Sequence, residues 1–341
     1  MNHCLTIRGG DRANAQAVWR GLLFLLRVIC LSAIATRAYG DVSLLIEEPY
    51  GFFGSVNPTG HSAIYLNRVC AESPTKLRWC LSDETGVVIS RYSTIRQFDW
   101  IAIPLMPYLY AVERAEDVPD WADKTAVDNL RNQYGEAHLA SLSSAIKGYD
   151  SKNVWPQLLG VAYIRKIYSF EIHTTEQQDA LLISEYNDAP NRKHFNLFTN
   201  NCADFSRRVL NFYYPHAVGR SITADIGITT PKQIAKTLSK YAHRQDDLNL
   251  NEIIIPQVPG DIPRSHSTRG VVESLLKTKK YALTIAVLNP YVLAGIAVTY
   301  LTNGRFELAK NAPVIPVIEQ EQLLSGVKNE THVASVEAPE Q

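Results

Sequence analysis

The chain has 341 residues, 46% hydrophobic and 20% charged, a globular rather than a disordered balance. Lys+Arg and Asp+Glu each number 34, so the basic excess that a nucleic-acid partner draws on is missing. Cysteines at 4, 30, 70, 80 and 202 include no Cys-x-x-Cys pair and the histidines form no close cluster, so neither a metal nor a cofactor is expected.

At the N-terminus, Arg8, Arg12 and Arg20 precede "GLLFLLRVICLSAIA" (21–35). That apolar run is the length of a signal h-region and short for a membrane span. Ala38 and Gly40 then supply small residues before Asp41. The pattern predicts that residues 1–40 are a signal peptide or N-terminal anchor of an exported protein, although Arg27 interrupts the run. The other reading is a buried N-terminal helix. Removal of the leader would take Cys4 and Cys30 with it. Cys70 and Cys80 flank a Ser-Pro-Thr turn, and either face each other in a disulfide or stay unpaired on two strands. In both cases Cys202 is left over.

Strands are expected at 41–48 and 61–70, around a glycine-rich stretch at 50–60. "LRWCLS", "GVVISRY" and "DWIAIPL" read as further strands before Pro104 and Pro107 break the pattern. Helical composition covers 120–146, and a β-branched, aromatic strand covers 162–173. A capping-box start at Thr174 or Thr175 opens a helix to 187. A helix begins at Cys202, another follows Thr230 and Pro231, and "LNEIIIPQVPGDIP" (250–263) holds a strand. This mixture predicts an α+β fold, an antiparallel sheet packed by helices, over 41–263.

Residues 264–303 differ. An amphipathic helix (267–280) leads into 281–302, about 22 residues without a charge, which is the length of a span. Asn289-Pro290 lies in its middle. A membrane helix tolerates such a pair, and the pair can equally break the run into two short buried helices. Lys277, Lys279 and Lys280 would lie on the exported side, against the positive-inside rule. Membrane association through 281–302 therefore stays open. Residues 304–341 form a polar tail that reads as disordered.

The chemistry points to two places. Asn201 is a favoured N-cap and Asp204 stands three residues on, so Cys202 opens the helix. Unsatisfied backbone N–H groups and the positive end of the helix dipole favour its thiolate there. Cys202, Phe205, Val209 and Phe212 share the stripe that faces inward. On the strand, His61 follows Gly60 and alternates with Ala63, Tyr65 and Asn67. An imidazole opposite that thiol is the pair a thiol hydrolase needs. Taken singly, a cysteine is more often a small core residue and a strand histidine a structural one.

"GHSAIYL" followed much later by "NNCADF" resembles the permuted papain-like thiol enzymes, which include NlpC-type proteins and lecithin–retinol acyltransferases. Within that group the chain looks most like bacterial envelope proteins of the Lnb N-terminal periplasmic domain type. The resemblance covers about 45–262 and rests on two short motifs. It implies a permuted papain-like fold, Cys202 as nucleophile and His61 as general base, in an exported periplasmic or envelope protein. It also implies a third polar residue on the strand after the histidine. "LRWCLSDETGVV" offers no histidine there, Asp83 and Glu84 read as turn residues, and His173 and His194 lie elsewhere, so that residue stays unassigned. The expected activity is a cysteine hydrolase or acyltransferase working through an acyl-enzyme on an envelope peptide, lipid or acylated protein. The alternative is an inactive envelope domain of the same fold that binds such a partner.

Overall fold

The structure is a computed structural model that describes residues 40–51, 58–95, 97–145, 155–193 and 195–316. The leader expected at 1–40 lies outside these residues but for Gly40, as do His194 and the chain beyond 316.

Among the described residues, six strands form one antiparallel sheet in the order β6-β5-β2-β1-β7-β8. They are β1 (Gly40–Glu47), β2 (His61–Leu66), β5 (Val87–Ser90), β6 (Ile101–Pro104), β7 (Ile167–Thr174) and β8 (Asn251–Ile255). β3 (Val69–Ser73) and β4 (Lys76–Trp79) pair only with each other, as a hairpin. Cys70 and Cys80 form a disulfide across it. The neighbour of β2 in the sheet is therefore β5, not the strand that follows it in sequence.

Both faces of the sheet are covered. Leu45, Ala63, Tyr65, Val88 and Ile103 point into a core shared with α1 (Leu105–Tyr110), α2 (Lys124–His138) and the segment 155–164. Leu44, Ile46, Ile64, Leu66 and Phe170 point into the opposite core. That side is closed by α3 (Glu176–Asp188), α4 (Cys202–Tyr213) and α6 (Pro231–Ala242), with the short α5 (Ile222–Asp225) between the last two. Two-sided burial explains why both faces of β2 and β5 carry apolar residues.

After β8 the chain does not leave the domain. Ser265 Oγ donates to Glu48 Oε2 at 2.6 Å and the Arg269 N–H donates to the Pro58 carbonyl at 2.8 Å. Thus 264–270 is laced to the end of the sheet before α7 (Val271–Lys277) begins. Residues 281–302 form no single long helix. Pro290 cannot donate an N–H, and the run breaks into α8 (Lys279–Leu288) and α9 (Pro290–Thr299), followed by a π turn at Tyr300–Gly304. No helix among the described residues is long and apolar enough to cross a membrane. Nor are the two short helices buried: neither contains a buried residue.

The polar tail starts later than its composition suggests. Ile254 donates to the Pro313 carbonyl, and Ile315 donates back to Ile254, each at 2.9 Å. Ala309 and Ile315 are buried. Residues 305–316 thus cover the edge strand β8, whose open ladder would otherwise meet water.

Candidate active site

α4 starts where its sequence says it should. Asn201 Oδ1 accepts the Asp204 N–H at 2.9 Å, and the Asp204 carboxylate reaches back to the Asn201 N–H at 3.3 Å. The Asn201 amide also donates to the carbonyls of Leu197 and Thr229, which ties the cap to the loop on either side. Asp204 is fully buried, and Arg220 and Thr229 each reach its Oδ1 at 2.6 Å. Cys202 is the first residue of this helix and a free, half-buried thiol. The inward face of α4 runs through Phe205, Ser206, Val209, Leu210 and Tyr213, so Cys202 sits at its edge, not along its middle.

His61 is the first residue of β2, directly across from Glu47 on β1. Gly60 before it has φ +73°, and a Cβ there would lie 2.2 Å from the Glu47 carbonyl oxygen. Only glycine brings the chain into β2 along this path. Strict alternation puts His61 with Ala63 and Tyr65, whereas α4 packs on the face of Ile64 and Leu66. The two residues meet because each is terminal to its element. The imidazole stands at the strand end beside the helix start, close enough that it and the Cys202 thiol shift each other's pKa.

A polar side chain outside 77–88 reaches His61: Ser90, at the end of β5. Its hydroxyl donates to the Ser62 carbonyl at 2.8 Å and lies 3.0 Å from His61 Nε2. A serine hydroxyl has one proton, and here the Ser62 carbonyl takes it. With that proton on the Ser62 carbonyl, Ser90 Oγ accepts from the Nε2–H of His61. On its other side the imidazole stacks on Tyr92, with centroids 5.1 Å apart and planes 21° apart.

Ser62 completes the thiol's surroundings. Ser206 Oγ donates to Ser62 Oγ at 3.1 Å, so the Ser62 proton is free for the sulfur. Burial by itself would raise the Cys202 pKa. The charge on His61, the hydrogen bond with it, and hydrogen bonds from the Ser62 backbone and hydroxyl outweigh that and hold it below the usual thiol value. Burial likewise would lower the His61 pKa. The Cys202 charge, then the Glu47 carboxylate, then the hydrogen bond to Cys202 reverse it, against a smaller push from Arg165, and the net pKa is raised. Both shifts favour a thiolate–imidazolium pair.

Two buried charged clusters frame the pair. Glu47 is fully buried and bonded to Arg165 at 2.5 Å and to the Tyr108 hydroxyl. Arg91, 1% exposed, pairs with Asp99 and Asn200 and lies over the Phe205 ring. Burial lowers the Arg91 pKa to about 10, with Arg208 pushing the same way and Asp204 and Cys202 pushing back, so it stays charged at neutral pH.

The other polar candidates lie apart. His173 pairs with Asp41 in the β1–β7 register, six residues along β1 from Glu47, roughly 20 Å away at strand rise. Glu84 is held by Arg78 at 2.6 Å, and Asp83 is exposed on its turn. Among the described residues, the one group with metal-ligating spacing is Cys70, Cys80 and Glu84, and two of its members are the disulfide. Searches of protein-family models, curated proteins and solved structures gave no match to this chain.

Proposed function

We propose that this chain is a cysteine hydrolase or acyltransferase of the permuted papain-like kind. The observation that carries the reading is that Ser90 holds His61 Nε2 at 3.0 Å at the strand end while His61 and Cys202 shift each other toward imidazolium and thiolate. The chain order supports the permuted topology: histidine strand first, cysteine helix late, packed on one antiparallel sheet.

In this reading the Cys202 thiolate attacks the carbonyl of an amide, ester or thioester. Asn201 occupies the N–H groups of Asp204 and Phe205, which leaves those of Cys202 and Ala203 available to the oxyanion of the tetrahedral intermediate. His61, protonated by the thiol, gives its proton to the leaving group as the acyl-enzyme forms. It then takes a proton from water or an acceptor, and the thiol is released. Ser90, on the strand beside His61, offers a third polar group, which supports the catalytic reading over an inactive binding domain of the same fold.

Export to the periplasm or cell envelope belongs to the same proposal. Its supports are the apolar leader and the Cys70–Cys80 disulfide, a bond that persists in oxidising compartments. The substrate would then be an envelope peptide, lipid or acylated protein. A thiol-directed acyl probe tests the chemistry: it labels the wild type, and Cys202→Ala lowers labelling by more than about a thousandfold. Equal labelling of the two proteins overturns the reading.

A further inference from the structure

The α8–α9 hairpin has no role in the chemistry above. Its two helices, ten residues each, are joined at Asn289-Pro290. Lys277, before α8, places its Nζ 5.1 Å over the ring of Tyr300, after α9. The two ends of the hairpin therefore meet at a base, and the Asn289-Pro290 turn is the tip. The base is fixed to the domain, since Lys236 on α6 donates to the Asn303 carbonyl. The tip is bare: Val287, Leu288 and Tyr291 keep 84%, 78% and 86% of their surface exposed.

The hairpin is apolar on all sides, not along one stripe. Residues 281–302 carry no charge, and the exposed set includes Leu283, Val292, Val298 and Leu301. Docking on a second copy, or in a protein groove, would leave the far side of such helices in water. A lipid environment covers every side at once. Several side-chain polar groups are satisfied within the hairpin. Thr284, Thr299 and Thr302 each donate to the carbonyl four residues back, at 2.6, 2.8 and 2.9 Å. Asn289 Oδ1 takes the N–H groups of Tyr291 and Val292.

The base has the opposite character. Lys277, Lys279 and Lys280 are exposed there, and Lys280 lies 4.8 Å from the Tyr281 ring centre. Beside it opens a cleft of about 370 Å³ lined by Arg220, Ser221, Lys236, Lys240 and Asn303. Ile222, on its rim, is 80% exposed. A tyrosine-and-lysine collar beneath an apolar tip is the pattern of the membrane interface. Each helix is about 15 Å long, half of the roughly 30 Å hydrocarbon core.

We propose that the α8–α9 hairpin enters one leaflet of a bilayer that contains anionic lipid, with Lys236, Lys240, Lys279 and Lys280 on the headgroup phosphates. Pro290 leaves the last carbonyls of α8 without helical donors, which opposes a full crossing. The segment 264–270 ties the base to the chain entering β2, so docking holds the His61 end of the sheet toward the lipid surface. This inference does not depend on catalysis.

The test uses the full chain and vesicles of phosphatidylcholine, with and without about 30% phosphatidylglycerol. Amide hydrogen exchange across 281–302 is expected to slow on the anionic vesicles. Leu288→Asp with Tyr291→Asp is expected to remove that protection and to weaken partitioning at least about tenfold. Lys236→Gln with Lys240→Gln is expected to weaken binding about tenfold or more, on anionic vesicles only. Thermal unfolding unchanged in both variants excludes misfolding as the cause. Exchange in 281–302 unaffected by vesicles overturns the proposal, as does vesicle binding that survives the tip variant. Protection that rises with protein concentration without lipid also overturns it and makes the hairpin an interface between two copies.

Discussion

In the sheet region, Ile64 and Leu66 of β2 and Phe205 and Val209 of α4 are withdrawn from water between strand and helix. In the hairpin, side chains of the same chemistry stand in solvent. Rigidity is available in the first region and not in the second. The Cys202–His61 pair lies beside two buried charge clusters, Glu47–Arg165 and Arg91–Asp99, which hold its surroundings in place. The hairpin contributes little to that packing, so its apolar surface is free for another partner.

Substitutions sharpen this contrast. Phe205→Ala should have the largest effect on folding, about 3–5 kcal/mol in denaturant unfolding, because it empties a filled site under Arg91 and Arg208. A loss below about 1 kcal/mol would show that the α4–sheet contact is loose. Glu273→Gln should cost about 3 kcal/mol at neutral pH, since Lys232 and Lys277 each reach this 5% exposed carboxylate at 2.7 Å. Burial acts to raise the Glu273 pKa, but the two lysine hydrogen bonds outweigh it and the net pKa is lowered. Its contribution is therefore full above its ordinary value of 4.5 and fades as pH falls through the lowered value. The gap between wild type and variant should close in acid, and a gap that widens there contradicts the assignment.

Ser90→Ala should reduce turnover roughly 10–100-fold and cost about 1 kcal/mol of stability, because it removes the group on His61 Nε2 and a buried hydrogen bond to the Ser62 carbonyl. Its signature is an altered pH profile, which a purely structural serine would not produce. The smallest effect belongs to the hairpin tip. Tyr291→Ser should shift stability by no more than about 0.5 kcal/mol in lipid-free solution. A larger loss would mean that the tip packs on the domain.

What was legible in the sequence is what local rules decide. The Asn201–Asp204 capping box, the Thr175 and Thr230 caps, the strand at His61 and the Cys70/Cys80 turn all follow from neighbours a few residues apart. Ser90 was not legible, although "GVVISRY" read correctly as a strand. Its place beside β2 depends on the β3–β4 hairpin leaving the sheet, and the residues of that hairpin read like any other pair of strands. Ser62 and Glu47 stayed hidden for a related reason, since their roles come from register across strands. The uncharged run 281–302 looks the same in sequence whether it spans, is buried or stands out. The packing of 305–316 on β8 depends on a partner more than fifty residues away.

The pH dependence of Cys202 alkylation decides whether Cys202 is a thiolate paired with an imidazolium. The reactive form should appear with a midpoint below the usual thiol value of about 8.5, and His61→Ala should move that midpoint upward. A midpoint at or above that value, unchanged by His61→Ala, would contradict the account.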